Sequence, residues 1–296
     1  MQKKIRKILK DKEFLAKYKG IIALLDFSEV EDVKSRDIMH DILSQREYNL
    51  EYNILHLEKL FLKFTKIMIF GGGPDAEYFV NYIHENRDFK NLSENVLIIA
   101  VDGITELLYE NRIIPDIIFT DLDGIFLETI NRPEFKKTSF IIHAHGDNIK
   151  KIKIFGKFLH SSKYLIGTTQ VETKIPIINH GGFTDGDRAL FLISNFLKEH
   201  HNVYIFGFDF GGIVGKYSKP NLMSDQKAKS IKKRKLDIGA ELTIEICSVW
   251  PCSVTFLDLE AKINQKFSKI SRNSNINRIR LKKESDIIDF LKKWDL

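Results

Sequence analysis

The stretch PDIIFTDLDG, residues 115–124, decides how the chain reads. Three consecutive apolar residues, Ile117, Ile118 and Phe119, run without polar alternation towards Asp121, Asp123 and Gly124. Such a run predicts a strand buried on both faces, and therefore a parallel sheet covered by helices. The two carboxylates are spaced i, i+2, which in an extended chain sets them on one side. Like charges there destabilise a strand end unless a cation lies between them, and a divalent metal ion meets that need.

Working outward, the same kind of run recurs at KIMIF (66–70), VLIIAV (96–101), SFIIH (139–143), KYLIG (163–167), IPIIN (175–179), VYIFG (203–207) and VTFLDL (254–259). Each is followed by a polar or glycine-bearing turn, mostly leading to a helical stretch. The expected fold is α/β: a Rossmann-like, mostly parallel sheet with helices on both faces. Residues 1–64 precede it as a helical region, with Ile38, Ile42 and Leu43, then Ile54, Leu57, Leu60 and Phe61, at helical spacing. Residues 65–260 form the expected α/β catalytic domain and 261–296 a polar C-terminal extension closed by a short helix, ESDIIDFLKKW. SDQKAKSIKKRKLDIGAELTIEICSVW (224–250) reads as one long amphipathic helix. Its expected stripe is Ala228, Ile231, Lys235, Ile238, Leu242, Ile246 and Val249.

Composition narrows the function classes. The 296 residues are 43% hydrophobic and 29% charged, with no repeat and no low-complexity tract, which excludes solenoids and disordered chains. No apolar run is long enough to cross a bilayer, and the basic N-terminus lacks the apolar core of a signal peptide. Two cysteines, Cys247 and Cys252, make neither a disulfide framework nor a four-ligand zinc site. A cytoplasmic protein is expected, with no membrane partner. The net charge of +6 suits an anionic small molecule such as a nucleotide; it is not gathered into an arm, so no nucleic-acid partner is expected. The oligomeric state stays open, a homodimer included.

The polar motifs follow the apolar runs, where open parallel sheets bind ligands. In IFGGGPDAEYF, Gly71, Gly72 and Gly73 with Ala76 fit a glycine-rich strand-to-helix turn that lets a backbone approach phosphate. A tight turn without a ligand reads equally well, and the G-K-[ST] of a Walker loop is missing. Asp102 and Gly103 end the second run, where Asp102 suits a ribose or caps the helix beginning at Ile104. FIIHAHGDN sets His143, His145 and Asp147 at i, i+2, i+4, a spacing open to a metal. Asp147 is equally an N-cap, and histidine pairs at strand ends are more often hydrogen-bonded structure. In GGFTDGDRA, Thr184 and Asp187 match a capping box and leave Asp185 unexplained. Asp209 ends another run amid glycines, and Lys235 is the lysine of the basic helix expected to point inward. No Ser-His-Asp or Cys-His pairing stands out, so covalent acyl chemistry is not expected.

Read together and in this order, IFGGGPDAE, VDGITELLYENRIIPDIIFTDLDG, HAHGDN, GGFTDGDRA and GFDFG resemble the archaeal-type 6-hydroxymethyl-7,8-dihydropterin pyrophosphokinases. The block from Val101 to Gly124 is also similar to the thiamine pyrophosphokinase catalytic domain. The resemblance covers residues 66–259 and implies transfer of a diphosphate from ATP to the hydroxymethyl group of a dihydropterin, with Mg²⁺ as cofactor. It implies that Asp121 and Asp123 hold the metal with Asp147 as a third carboxylate, and that Gly71–Gly73, Asp102 and Gly103 face the nucleotide. Asp185, Asp187 and Asp209 then remain, with Thr184, for pterin or ribose, and Lys235 for phosphate. Two other readings stand beside it. FTDLDG also looks like the first motif of haloacid-dehalogenase phosphatases, although Ile125 replaces their small hydroxyl residue. The glycine loop alone would suit an NAD(P)-binding protein.

Overall fold

The computed structural model describes residues 9, 11–86, 94–208, 210–220, 222–259 and 276–281. Three helices come first: α1 (Asp11–Leu25), α2 (Glu29–Leu43) and α3 (Leu50–Lys63). Side chains cap the latter two, Ser28 Oγ accepting from the Glu31 N–H at 3.4 Å and Asn49 Oδ1 from the Tyr52 N–H at 2.9 Å.

The main body alternates β1 (Lys66–Phe70), α4 (Ala76–Asn86), β2 (Val96–Val101), α5 (Ile104–Glu110), β3 (Ile117–Thr120), α6 (Leu127–Ile130), β4 (Ser139–Ala144), α7 (Ile149–Ile154), α8 (Gly156–Ser161) and β5 (Leu165–Thr169). Then follow α9 (Asp185–Ile193), β6 (Asn202–Phe206), the short pair β7 (Ile213–Val214) and β8 (Gln226–Lys227), α10 (Ser230–Ser248), β9 (Ser253–Leu259) and β10 (Ile276–Leu281). Eight strands form one sheet in the order β10-β9-β6-β1-β2-β3-β4-β5, every neighbour parallel. The chain leaves β1 in one direction through β2 and returns to its other side at β6. The switch point therefore lies beyond the carboxyl ends of β1 and β6.

Alternate residues of each central strand enter opposite cores. Ile67, Ile69, Leu97, Ile99, Ile117 and Phe119 pack under α1, α3, α9 and α10, while Met68, Phe70, Ile98, Ala100 and Ile118 pack against α4 and α5. Both faces are dry, which is why these strands read as unbroken apolar runs. Burying each large side chain contributes about 1.5–3 kcal/mol. The N-terminal helices also cover edge strand β5. There Asn53 Oδ1 accepts the Leu165 N–H at 2.8 Å and the Arg46 guanidinium donates to the Leu165 carbonyl at 3.1 Å, occupying edge groups that no strand pairs.

Three expectations need revision. IPIIN is not a strand: Lys174 and Ile177 exchange backbone hydrogen bonds across a tight turn, and Ile178 meets Thr168 in a single bridge. Pro176 has no N–H to offer a ladder, yet Ile177 and Ile178 are buried, so burial produced the apolar run without pairing. The basic helix begins at Ser230, because Gln226–Lys227 pairs with Ile213–Val214 in a hairpin. Its buried face holds Gly239, Ala240, Leu242, Thr243, Ile246 and Cys247, leaving Ile231 and Val249 exposed. Within the polar extension, Ile276–Leu281 adds an outer strand beside β9, and the expected helix at 284–294 lies outside the described residues.

Candidate active site

The polar residues gather at the carboxyl ends of the strands. β3 ends at Thr120, before either aspartate of DLDG, and Leu122 has φ 73, in the left-handed region. That turn breaks the alternation of an extended chain, yet the Asp123 side chain stays within hydrogen-bonding reach of Asp121. Asp121 meets Asp102 and Asp185, the three offering oxygens within 4.8 Å of one another. Asp123 also pairs with Lys219 at 2.7 Å, and its charge acts on Asp102 and Asp185.

Asp102 lies at the end of β2 with φ 55, a conformation that costs a non-glycine residue of order 1–3 kcal/mol. Its side chain does not cap α5, whose N-cap is Gly103. Oδ1 of Asp102 accepts the Thr120 hydroxyl at 2.6 Å and the Gly124 N–H at 3.2 Å, and the Thr120 Oγ1 in turn accepts the Leu122 N–H at 2.8 Å. A side chain at Gly124 would overlap the Asp102 carboxylate. Asp185 opens α9 behind a capping box in which the Thr184 N–H and hydroxyl donate to Asp187 Oδ2 at 2.9 and 2.6 Å. Asp187 is thus fully engaged as a cap and buried, leaving Asp185 to face the cluster.

One face of Asp121 is fixed by His145, whose Nε2 lies 3.1 Å from Oδ2, and the Asp123 N–H donates to Oδ1 at 3.0 Å. Asn148 holds the loops together. Its Nδ2 donates to the carbonyls of Asp121 at 2.8 Å and His143 at 2.6 Å, while Oδ1 accepts from the His145 N–H and the Ser35 hydroxyl, both at 3.1 Å. The expected cap at Asp147 is not made; His145 and Asn148 occupy the cap positions, and Asp147 is 83% exposed, 4.0 Å from His145 Nδ1.

The charges are distributed by this geometry. Burial works to raise Asp121, but the His145 hydrogen bond and charge outweigh it and hold the carboxyl below its ordinary range. Burial and the charge of Asp121 push Asp102 and Asp185 upward. Burial would lower His145, and Asp121 more than compensates, so the ring is held above its usual value. Burial raises Asp187 to about 6 despite its cap bonds. Lys235 is drawn down by burial and by neighbouring Lys232, with Asp147, Asp121 and Asp185 acting the other way. The cluster therefore resists full ionisation unless a cation is bound among its carboxylates.

Two cavities flank the cluster. The smaller, about 150 Å³, lies at the switch point and is lined by Gly71, Gly72 and Gly73, with Asp102, Asp185 and Lys232. There the Gly71 N–H donates to the Phe206 carbonyl and the Gly73 N–H to the Gly207 carbonyl, both at 2.9 Å. Gly207, at φ 69, has no space for a side chain against Gly71. The larger cavity, about 510 Å³, is lined by Asp121, Asp185, His143 and His145 on one side and by Asp26, Phe27, Ser28, Glu31 and Asp32 of the N-terminal region on the other. Asp185, Thr184 and Lys232 border both spaces, and Lys235 borders the larger.

Of the expected site residues, the fold brings Asp102, Asp121 and Asp185 together, with Gly71–Gly73, Thr184 and Lys235 on the cavity walls. Gly103 sits against the Tyr217 carbonyl, Asp123 faces Lys219, Asp147 is at the rim, and Asp187 is a buried cap. Asp209 lies outside the described residues. Sequence reading missed Asp32, Gln170, Arg188, Lys219 and Lys232. Arg188 is a buried cation that donates to the carbonyls of Gly182 and Thr169 at 3.1 and 3.0 Å beneath the site. Only its place after two aspartates in TDGDR hinted at that role.

Comparison with known proteins places this arrangement in context. The family described as 6-hydroxymethylpterin diphosphokinase MptE-like matches residues 40–214. A 6-hydroxymethyl-7,8-dihydropterin pyrophosphokinase of Pyrococcus furiosus is 34% identical over 235 residues, 79% of this chain and 93% of that protein. Its namesake in Methanocaldococcus jannaschii is 35% identical over 239 residues, 78% and 93% of the two chains. That of Methanothermobacter thermautotrophicus is 34% identical over 193 residues, 65% and 78%.

Proposed function

Because the chain belongs to the MptE-like family of 6-hydroxymethylpterin diphosphokinases, we propose that it transfers the terminal diphosphate of ATP to the hydroxymethyl group of 6-hydroxymethyl-7,8-dihydropterin and releases AMP. The hydroxyl oxygen of the acceptor bonds to the β-phosphorus, the bond from that phosphorus to the bridging α,β-oxygen breaks, and the hydroxyl proton departs. Such transfer depends on positioning and charge neutralisation more than on a protein nucleophile, in keeping with the lack of a covalent triad.

The observation that carries the reading is the trio Asp102, Asp121 and Asp185 set between two cavities. Three oxygen-donor carboxylates, two of them pushed upward by burial and mutual repulsion, suit a hard divalent cation such as Mg²⁺. Bound there, the cation would neutralise the polyphosphate and polarise the phosphorus under attack. Asp121 is oriented by His145 and Asn148, and Asp102 by Thr120 and Gly124. With the Gly71 and Gly73 N–H groups already bonded within the protein, Gly72 is the part of the loop that meets the nucleotide phosphates at the switch point, under the β7–β8 hairpin, and Lys232 and Lys235 supply positive charge. The acceptor occupies the larger cavity, whose volume suits a bicyclic heterocycle. Asp123 and Asp147 act from the rim, Asp123 through Lys219.

Among the described residues no helix is long and apolar enough to cross a membrane. Neither the phosphatase nor the NAD(P)-binding reading gains support from the relatives. Incubation with ATP, Mg²⁺ and hydroxymethyldihydropterin tests the proposal. AMP and the pterin diphosphate are expected, in equal amounts; ADP as product, or no pterin dependence, overturns it. Thiamine in place of the pterin tests the related acceptor and is expected to be inert.

A further inference from the structure

Resting on that reading, we infer that the corner between α1 and α2 selects the acceptor: Phe27 packs against a flat bicyclic heterocycle, while Asp32 accepts a hydrogen bond from its donor-rich edge. The corner, Asp26 to Asp32, precedes the family match at residues 40–214 yet forms a wall of the larger cavity. The α/β domain by itself thus leaves that cavity open on one side.

The floor is polar, buried and incompletely satisfied. Asp32 is 3% exposed; its Oδ1 accepts the Gly146 N–H at 2.6 Å, and its Oδ2 accepts from Gln170 Nε2 at 2.8 Å and from the Tyr18 hydroxyl. A carboxylate has about four acceptor positions, so one on Oδ1 is left for a ligand. His143 also lines the cavity, but it is 5% exposed and its ring is engaged by Gln170. Its Nδ1 lies 3.4 Å from Thr168 Oγ1, whose own proton is directed at the Ile142 carbonyl at 3.2 Å. Burial, with Arg188 nearby, keeps the ring neutral. The free acceptor position on Asp32 calls for a ligand edge carrying N–H donors, as the amino-pyrimidinone edge of a pterin does.

The walls fit the rest of such a ring. Phe27 and Phe183 lie with centroids 6.5 Å apart and planes inclined by 26°, and Lys235 Nζ sits 4.5 Å from the Phe27 centroid. A heterocycle laid on this wall with its donor edge at Asp32 directs its opposite end towards the side bearing Asp121 and Asp185.

The test compares wild type, Asp32→Asn and Phe27→Ala with two acceptors: 6-hydroxymethyl-7,8-dihydropterin and the analogue bearing oxygen in place of the 2-amino group. Wild type is expected to prefer the amino compound by at least about 10-fold in kcat/KM, since a built hydrogen-bonding site rejects an analogue that leaves it unpaired. Asp32→Asn is expected to erase most of that preference, leaving KM for ATP within about 2-fold, a pattern that a merely structural role would not produce. Phe27→Ala is expected to raise KM for both acceptors about 10-fold with ATP unaffected, and as a half-buried corner residue it decides the matter alone should Asp32→Asn not fold. Undiminished preference in Asp32→Asn, or unchanged acceptor KM in Phe27→Ala, overturns the inference while the diphosphokinase reading stands. Wild type that makes no AMP with either acceptor overturns the reading on which it rests.

Discussion

Replacing Asp185 with asparagine is expected to stabilise the cation-free protein while abolishing turnover. Asp185 is pushed up to about 8, chiefly by burial and then by Asp121. An unfolded aspartate titrates near 3.9. The folded state therefore binds a proton the unfolded state has already lost, and stability falls as pH rises from about 4 to about 8. At pH 7 that span is roughly 3 pH units, or about 4 kcal/mol. An independent figure comes from Coulomb repulsion between two charges at the 4.8 Å limit of the cluster, about 3 kcal/mol at an effective dielectric near 20. Asparagine forfeits the favourable placement of a charge in the first turn of α9, about 0.5 kcal/mol. The net gain is about 2–3 kcal/mol, which for a chain of this size raises Tm by about 4–8 °C. Thermal melts followed by circular dichroism in EDTA at pH 7 and pH 5 measure it, and the gain should shrink by more than half at pH 5. Adding Mg²⁺ with a non-hydrolysable ATP analogue should stabilise wild type by mass action and leave the variant almost unmoved. A variant less stable than wild type at pH 7 without cation, or a gain independent of pH, would refute the reasoning.

Other outcomes follow from the same geometry. Gly124→Ala forces the Asp102 carboxylate aside, and steady-state kinetics should show kcat down about 100-fold, the usual effect of a small misplacement of a catalytic group. Asn148→Ala strips partners from Asp121, His143, His145 and Ser35 at once and should lower urea-unfolding stability by about 3 kcal/mol, as well as reducing turnover. Because Asp102 and Asp185 hold their protons unusually tightly, cation binding must release protons. Calorimetry should find Mg²⁺ affinity at least about 10-fold higher at pH 8 than at pH 6, with proton uptake by the buffer.

The sheet was legible because its strands are dry on both faces, so burial alone wrote an unbroken apolar run at 96–101 or 117–119. IPIIN shows the limit of that signal: Ile177 and Ile178 are equally dry but pair with almost nothing. The acidic residues were legible one by one, since each follows a strand or opens a helix. Their partnership was not. Spacing set Asp121 beside Asp123, and they remain neighbours, but through a left-handed turn at Leu122, invisible in residue type, rather than along an extended strand. Asp102 and Asp185 meet Asp121 through the order of strands and the docking of α9, which no local pattern encodes. The same holds for Asp32 and Gln170, 138 positions apart and joined by one hydrogen bond. The N-terminal helices read as a cover for the sheet; that they also wall the larger cavity depends on how they dock.

The central claim is that Asp102, Asp121 and Asp185 hold the cation that engages the polyphosphate. The most direct measurement is an anomalous difference map from crystals grown with Mn²⁺ and α,β-methylene ATP. The account predicts a peak about 2.1 Å from carboxylate oxygens of at least two of these three residues and from phosphate oxygens of the analogue. A peak on Asp123 and Asp147 instead, or nucleotide bound with no metal near Asp121, would contradict it.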